Sequence, residues 1–284
     1  MAQHVRAIKG RIGNIENIGQ ITKAMNAIAM TKVTRMKRRL AETRPYVEGL
    51  KTFSQRMMGR LATDDEAHPL TVPNGSSVAG LLVLNSDRGL CGRYKGDLNR
   101  ESEKQILELG SAGRLILGGE KARLYYARRD VPVLRTYAHV YDQPTEAIAA
   151  RMTNELIDLY ERGEVGRIDL MYMRFVSDLS QKLVVEPFLP IPVEVDENDD
   201  LIDPEADVML DVALRMVLRG ILYAALLETK TSEDAIRRQA MRAATDNAED
   251  LLKNLTRAYN KARQQAITRE IADIIGGAEA LRTE

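Results

Sequence analysis

The chain has no tryptophan, three phenylalanines and a single cysteine, Cys91, in 284 residues. One cysteine excludes an intramolecular disulfide and any cysteine-based metal cluster, and it suits a reducing compartment. The three histidines, His4, His68 and His139, lie far apart without metal-ligand spacing, which argues against zinc. No bilayer span is expected. The longest apolar stretch, 208–227, is interrupted by Asp211, Arg215 and Arg219. No signal peptide is expected either, because Arg6, Lys9 and Arg11 break the apolar pattern of 5–12. The phosphate-cradling pattern G-x-x-x-x-G-K-[ST] is absent, as is the three-glycine dinucleotide fingerprint. The carboxylates show no spacing that nominates a catalytic pair. Cys91 has no histidine near it in sequence and reads as a small buried side chain. Proline is missing from the first 44 residues and the last 80, and all nine prolines lie between Pro45 and Pro204.

What remains is a chain with two long helical ends. In a helix interior proline costs roughly 3 kcal/mol, so its absence leaves both ends free to form long helices. At about 1.5 Å per residue, a helix over 206–276 would span roughly 100 Å, too long for the core of one globular domain. Near the N-terminus apolar residues recur at Val5, Ile8, Ile12, Ile15, Ile18, Ile21, Met25, Ile28, Val33, Met36 and Leu40. Steps of three and four predict one stripe and a coiled-coil seam. Gly10, Gly13 and Gly19 weaken that helix in isolation, so a partner helix has to supply its order. The pattern is expected to end near Arg44-Pro45. At the other end Met241, Ala248, Leu255 and Ala262 recur every seven residues, with Thr245, Leu252, Tyr259 and Ala266 as the companion row. Two interleaved rows of this period form the seam of a left-handed coiled coil.

The middle of the chain alternates. Strands are predicted over 78–84, 114–117, 133–137, 168–175 and 182–188, with helices over 97–109, 120–129 and 145–162 and a hairpin around Ser177-Asp178. This order indicates an α/β sandwich with a largely parallel sheet. Pro187, Pro190 and Pro192 stiffen a linker that leads to an acidic loop at 196–200. The segments are expected as a helix over 1–60, an α/β, Rossmann-like domain with linkers over 61–203, and a second helix over 204–284. Net charge is zero, yet residues 1–44 carry ten basic and two acidic side chains. Such a segment faces an acidic partner, a phosphate backbone or water.

Two further features stand out. The turn Ser86-Asp87-Arg88-Gly89-Leu90-Cys91-Gly92 joins a strand to a helix, where doubly wound folds cradle phosphates. With neither phosphate motif present it reads as a tight turn pinned by Asp87 and Arg88. The C-terminal end passes from long polar side chains to an isoleucine-rich tip at Ile271, Ile274, Ile275 and Leu281. An unpaired tip of that kind exposes apolar surface, which favours an enclosing partner.

Five blocks carry a family resemblance. Ile21-Thr22-Lys23-Ala24-Met25, Asp87-Arg88-Gly89-Leu90-Cys91-Gly92, Ala243-Ala244-Thr245-Asp246-Asn247, Tyr259-Asn260-Lys261-Ala262-Arg263-Gln264, and Ile267-Thr268-Arg269-Glu270-Ile271 with Gly276-Gly277-Ala278 resemble the γ subunits of F-type ATP synthases. They occur in the family's order and span the chain. The resemblance implies an α/β module inserted between two terminal helices that form an antiparallel left-handed coiled coil. It implies a rotor shaft within a hexamer of α and β subunits, coupling proton-driven rotation of the c-subunit ring to conformational change at catalytic sites on the β subunits. The chain would then be non-catalytic, hold no cofactor or metal, and bind no nucleic acid. Lys23, Met25, Arg237, Arg263, Gln264, Thr268 and Glu270 would face the hexamer. Asp203 and Glu205 would belong to the foot near the ε subunit and the c ring. The chain would be a peripheral protein on the cytoplasmic face of a bacterial inner, or thylakoid-type, membrane.

Two other classes make different demands. A nucleotide-using α/β enzyme with helical dimerisation arms requires stoichiometric nucleotide binding by the isolated chain. A basic coiled-coil protein for nucleic acid or anionic membranes requires tight, salt-dependent binding to DNA or vesicles.

Overall fold

The computed structural model describes residues 2–61, 68–141, 143–192 and 206–280. In chain order the elements are α1 (Ala2–Leu61), β1 (Ala79–Leu84), α2 (Tyr94–Leu109), a 3-10 turn (Gly110–Ala112), β2 (Gly113–Gly118), α3 (Glu120–Tyr126), β3 (Val133–Tyr137), α4 (Glu146–Glu161), β4 (Arg167–Phe175), β5 (Gln181–Leu189) and α5 (Ala206–Ala280). They make two compact units. One contains residues 1–28 and 238–284, and the other contains 29–237.

The larger unit is built on a five-stranded sheet of order β3-β2-β1-β4-β5. β1 pairs in parallel with β2 and β4, and β2 in parallel with β3. β5 returns antiparallel to β4 through the turn at Ser177–Ser180. β1 is buried along its whole length, which is why it reads as an unbroken apolar run. Its side chains alternate between faces. Leu82 and Leu84 join Met152, Leu156 and Tyr160 of α4 and Leu214, Leu218 and Leu222 of α5. Leu81 and Val83 join Leu98 and Ile106 of α2 and Ala122 and Tyr126 of α3. Helix α4 opens after Pro144 as predicted, with the Thr145 hydroxyl accepting from Ile148 N at 3.3 Å. Val33, Met36 and Leu40 of α1 close a third cluster with Phe175, Leu227 and Ala235.

Helix α1 does not stop at Pro45 but continues to Leu61. Pro45 forfeits one helical hydrogen bond, and tertiary anchors on both sides outweigh that loss. Before it, Arg44 Nη2 reaches Glu228 Oε1 at 3.0 Å and the Phe175 carbonyl at 3.0 Å. After it, buried Val47 packs on Gly220, where any Cβ would sit 3.2 Å from Val47 Cγ2.

In the smaller unit the start of α1 and the C-terminal half of α5 run antiparallel, because Gly19 faces Ala248 while Thr22 faces Thr245. Along α5 the covered positions include Met241, Thr245, Ala248, Leu252, Leu255, Tyr259, Ala262 and Ala266, the two predicted rows, with Ala244 beside them. The α1 stripe needs correction. Ile18, Ile21 and Ile28 are 48%, 59% and 57% exposed. Gly19 and Thr22 hold the seam in their place, and the Thr245 hydroxyl donates to Thr22 Oγ1 at 2.8 Å. Small residues let the helices approach closely, which turns the neighbouring isoleucines outward. Gly10 and Gly13 have no such role, since a Cβ at either would meet nothing within 4 Å. Gly10→Ala and Gly13→Ala are each expected to stabilise the isolated chain by up to about 1 kcal/mol. Thermal melting followed at 222 nm checks this, and a lowered midpoint would contradict the helical assignment there.

Candidate functional site

The 85–92 turn follows β1 at the point where the parallel strands diverge, with β2 on one side and β4 on the other. Doubly wound sheets bind ligands outside such strand ends. Here the turn is tied down by its own side chains. Asp87 Oδ1 accepts from Glu120 N at 2.9 Å and His139 N at 3.0 Å, and Oδ2 accepts from Tyr141 N at 3.2 Å. One carboxylate thereby gathers the segments after β1, β2 and β3. Asn85 Nδ2 donates to Asn99 Oδ1 at 2.7 Å and fixes the turn to α2. Leu90 and Gly92 have φ of 60° and 54°, so glycine suits position 92 and Leu90 stands outward, 61% exposed. Arg88 is exposed and Cys91 is buried.

Helix α5 is bonded to residues beside these strand ends. Ser232 Oγ donates to the Met173 carbonyl at 2.9 Å, and Tyr94 OH to the Thr229 carbonyl at 3.4 Å. Arg237 Nη2 and Nε lie 3.3 and 3.4 Å from the Gly89 carbonyl. Thr229, Thr231, Ser232 and Asp234 have no exposed surface.

Four charges share this buried stretch of α5. Lys230 Nζ lies 3.5 Å from Glu233 Oε2 and 3.2 Å from Asp234 Oδ2, and the Arg237 guanidinium pairs with Glu233 Oε1 and Asp234 Oδ1. Burial, reinforced by the Glu233 carboxylate, pushes the Cys91 thiol above its ordinary pKa. Just before this stretch of α5, Glu228 accepts from Arg44 Nε and Nη2 at 3.2 and 3.0 Å. Its burial raises the carboxyl pKa, and the Arg44 and Arg174 charges oppose that rise.

The other predicted residues lie in the two-helix unit. Lys23, Arg263, Gln264, Thr268 and Glu270 are exposed and Met25 is half-buried. Lys261, Gln264, Gln265, Thr268, Arg269 and Ala272 border a shallow surface depression of about 500 Å³. Beyond them Ile271, Ile274 and Ile275 are 52%, 67% and 59% exposed. Arg237 is different, because its donors point into its own chain. Asp203, Glu205 and Leu281 lie outside the described residues. Lys230, Glu233 and Asp234 were not among the predicted residues, although two cations flanking two anions at i, i+3, i+4 and i+7 form a visible pattern. Among the described residues no group of three or more His, Cys, Asp or Glu is placed to hold a metal ion, and no helix is long and apolar enough to cross a membrane.

Comparison with known proteins decides the family. The model of the ATP synthase family matches residues 4–281. The chain belongs to the ATP synthase gamma-chain family. It is 37% identical over 280 residues to the ATP synthase gamma chain of Desulfitobacterium hafniense, covering 97% of this chain and 98% of the relative. It is 34% identical to that of Moorella thermoacetica, over 98% and 99% of the two chains. Among solved structures it resembles a chain of the Euglena gracilis mitochondrial ATP synthase rotor, with a TM-score of 0.68, 18% identity, and 94% and 100% of the chains covered. A chain of the central stalk and c-ring structure of the Tetrahymena thermophila enzyme gives a TM-score of 0.63 at 22% identity, over 79% and 99%. At these identities the structures speak for the fold, and gamma-chain membership rests on the sequence matches.

Proposed function

We propose that the chain is the central rotor subunit of a proton-translocating ATP synthase and performs no chemistry of its own. Gamma-chain membership sets the class. The observation that carries the reading is the two-helix unit, where helices paired along one narrow seam leave an isoleucine tip and a belt of long polar side chains uncovered. A tip 52–67% exposed at Ile271, Ile274 and Ile275 suits an apolar sleeve, which supplies few directional bonds and so a low barrier to turning. The belt of Arg263, Gln264, Thr268 and Glu270 supplies the directional contacts that exchange as it turns, with Lys23 and Met25 as a second contact zone. The sleeve is the hexamer of α and β subunits, and the catalytic sites belong to β. The bonds that tie α5 to Gly89, Tyr94 and Met173 beside the strand ends support the non-catalytic reading.

Coupling then follows from differential contact. A helix pair presents unlike faces around its axis, and each face biases the catalytic site it meets by the difference in contact energy between that site's conformations. An exposed lysine or arginine beside an acidic lever contributes up to about 4 kcal/mol before desolvation, at roughly 4 Å and an effective dielectric near 20. By the family resemblance, Asp203 and Glu205 would seat beside the ε subunit and the c ring on the cytoplasmic face of the membrane, leaving the chain peripheral.

Co-purification of the tagged chain with α and β subunits tests the assignment, and a chain that purifies alone from an assembling system would overturn it. Arg263→Ala with Gln264→Ala is expected to lower ATP-driven proton pumping in reconstituted complexes by roughly tenfold, the equivalent of about 1.4 kcal/mol of lost coupling. Undiminished pumping by the folded double variant would remove the belt from the mechanism.

A further inference from the structure

Positions 230, 233, 234 and 237 fall on one face of α5, where residues three and four apart are neighbours. That face is not solvated. Lys230, Glu233, Asp234 and Arg237 are 5%, 1%, 0% and 7% exposed. Their formal charges cancel, and each cation lies against both anions. Burying four charges carries a desolvation cost that apolar residues of similar volume would avoid, so such a ring is a poor source of net stability. Its distinctive property is directional. Apolar faces tolerate small slides and rotations, whereas a closed ring of ion pairs has one low-energy setting.

The ring also fixes something outside itself. Arg237, held by Glu233 and Asp234, is aimed at the Gly89 carbonyl, which belongs to the turn that Asp87 ties to the rest of the sheet. Lys230 completes the ring: its ammonium donates to Asp234 Oδ1 at 3.4 Å and lies within ion-pair distance of Glu233 Oε2 and Asp234 Oδ2. On other faces of the same helix stretch, Ser232 Oγ donates to the Met173 carbonyl and the Thr229 carbonyl accepts from Tyr94 OH. We infer that Lys230 and Asp234 are positioning residues for coupling: by closing the ring with Glu233 and Arg237 they hold the 87–92 turn on α5 in one rotational setting. A rotor needs such a fixed setting where helix and sheet meet, because play there dissipates twist. The structural half of this inference stands alone, and its functional half rests on the rotor reading above.

Cys91 is a native reporter of the seated turn. It is 2% exposed, with Sγ 3.9 Å from Ser86 Oγ and 3.7 Å from the Arg88 carbonyl. A bulky disulfide reagent such as dithionitrobenzoate reaches it only when the turn lifts. In Lys230→Leu with Asp234→Leu, charge balance is kept and the ring is opened. The double variant is expected to melt like the parent, while Cys91 in the full chain reacts about tenfold faster through local opening. In assembled complexes the ratio of protons pumped to ATP hydrolysed should fall about threefold. Should the leucine pair fail to fold, Lys230→Gln with Asp234→Asn makes the same test with polar groups of matching size. Unchanged Cys91 reactivity in a folded variant overturns the clamp. Faster labelling with an unchanged pumping ratio overturns the positioning role. A parent complex that pumps no protons would instead sink the rotor reading and leave the labelling result to judge the clamp.

Discussion

Asp87→Ala is expected to destabilise the sheet unit by about 2–5 kcal/mol, one of the largest effects any single polar truncation should have in this chain. The carboxylate accepts three backbone N–H groups, from Glu120, His139 and Tyr141. An orphaned buried donor costs about 1–3 kcal/mol. His139 is exposed, so its N–H can turn to water at little cost. Tyr141 is 1% exposed, and its N–H has no such recourse. Asp87→Asn should cost less, about 1–2 kcal/mol, because its one remaining carbonyl oxygen can serve the pair at Glu120 and His139 while Tyr141 is lost. Urea unfolding followed by circular dichroism ranks the three proteins. An alanine variant within about 0.5 kcal/mol of the parent would show that the three strand-end segments are held by packing alone.

The same residue shows how far the sequence could be read. Asp87 stood out as a pin within a turn, because a short acidic side chain after a strand commonly bonds nearby backbone. Its partners, 33, 52 and 54 residues away, could not be named, since nothing local records them. The strands were legible because β1, β2 and β4 lie between helix layers and so carry apolar runs. The antiparallel β5 showed through its short hairpin connection. The seam on α5 was legible through its period of seven. The seam on α1 was legible only in part, because counting large apolar residues favours isoleucine over glycine and threonine, and the close crossing is made by the latter. A helix over 1–60 was expected, but what carries it past Pro45 was illegible for a related reason: the compensating contacts of Arg44 are with Glu228 and Phe175, on distant elements.

The candidate site divides along the same line. Exposure of Lys23, Arg263, Gln264, Thr268 and Glu270 follows from their places off the seam, so pattern alone sufficed to put them on the surface. Arg237 lies at a position where α5 faces the sheet as well as α1, and a two-helix pattern cannot register a third neighbour. Its burial, and that of Lys230, Glu233 and Asp234, is a tertiary outcome that charge content would have argued against.

Gly19→Leu should open the two-helix unit, and comparison with Gly19→Ala isolates the cause. A Cβ at position 19 would sit 3.6 Å from Ala248 Cβ, ordinary contact, so alanine fits and gains up to about 1 kcal/mol from helix propensity. Leucine brings three more carbons to the same crossing. Room for them comes only by moving α1 away from α5, which breaks the Thr245–Thr22 hydrogen bond of 2.8 Å and loosens the contacts around Ala248. Overpacking of this kind costs about 1–3 kcal/mol, enough to separate helices joined by so narrow a seam. The melting midpoint of the leucine variant should fall while that of the alanine variant holds or rises. The functional consequence is steric as well as energetic. A helix pair widened at residue 19 no longer matches an enclosing hexamer, so the leucine variant should recover few α and β subunits on co-purification while the alanine variant recovers them normally. Equal recovery by both would mean that the crossing at Gly19 is not the part of the chain the hexamer encloses.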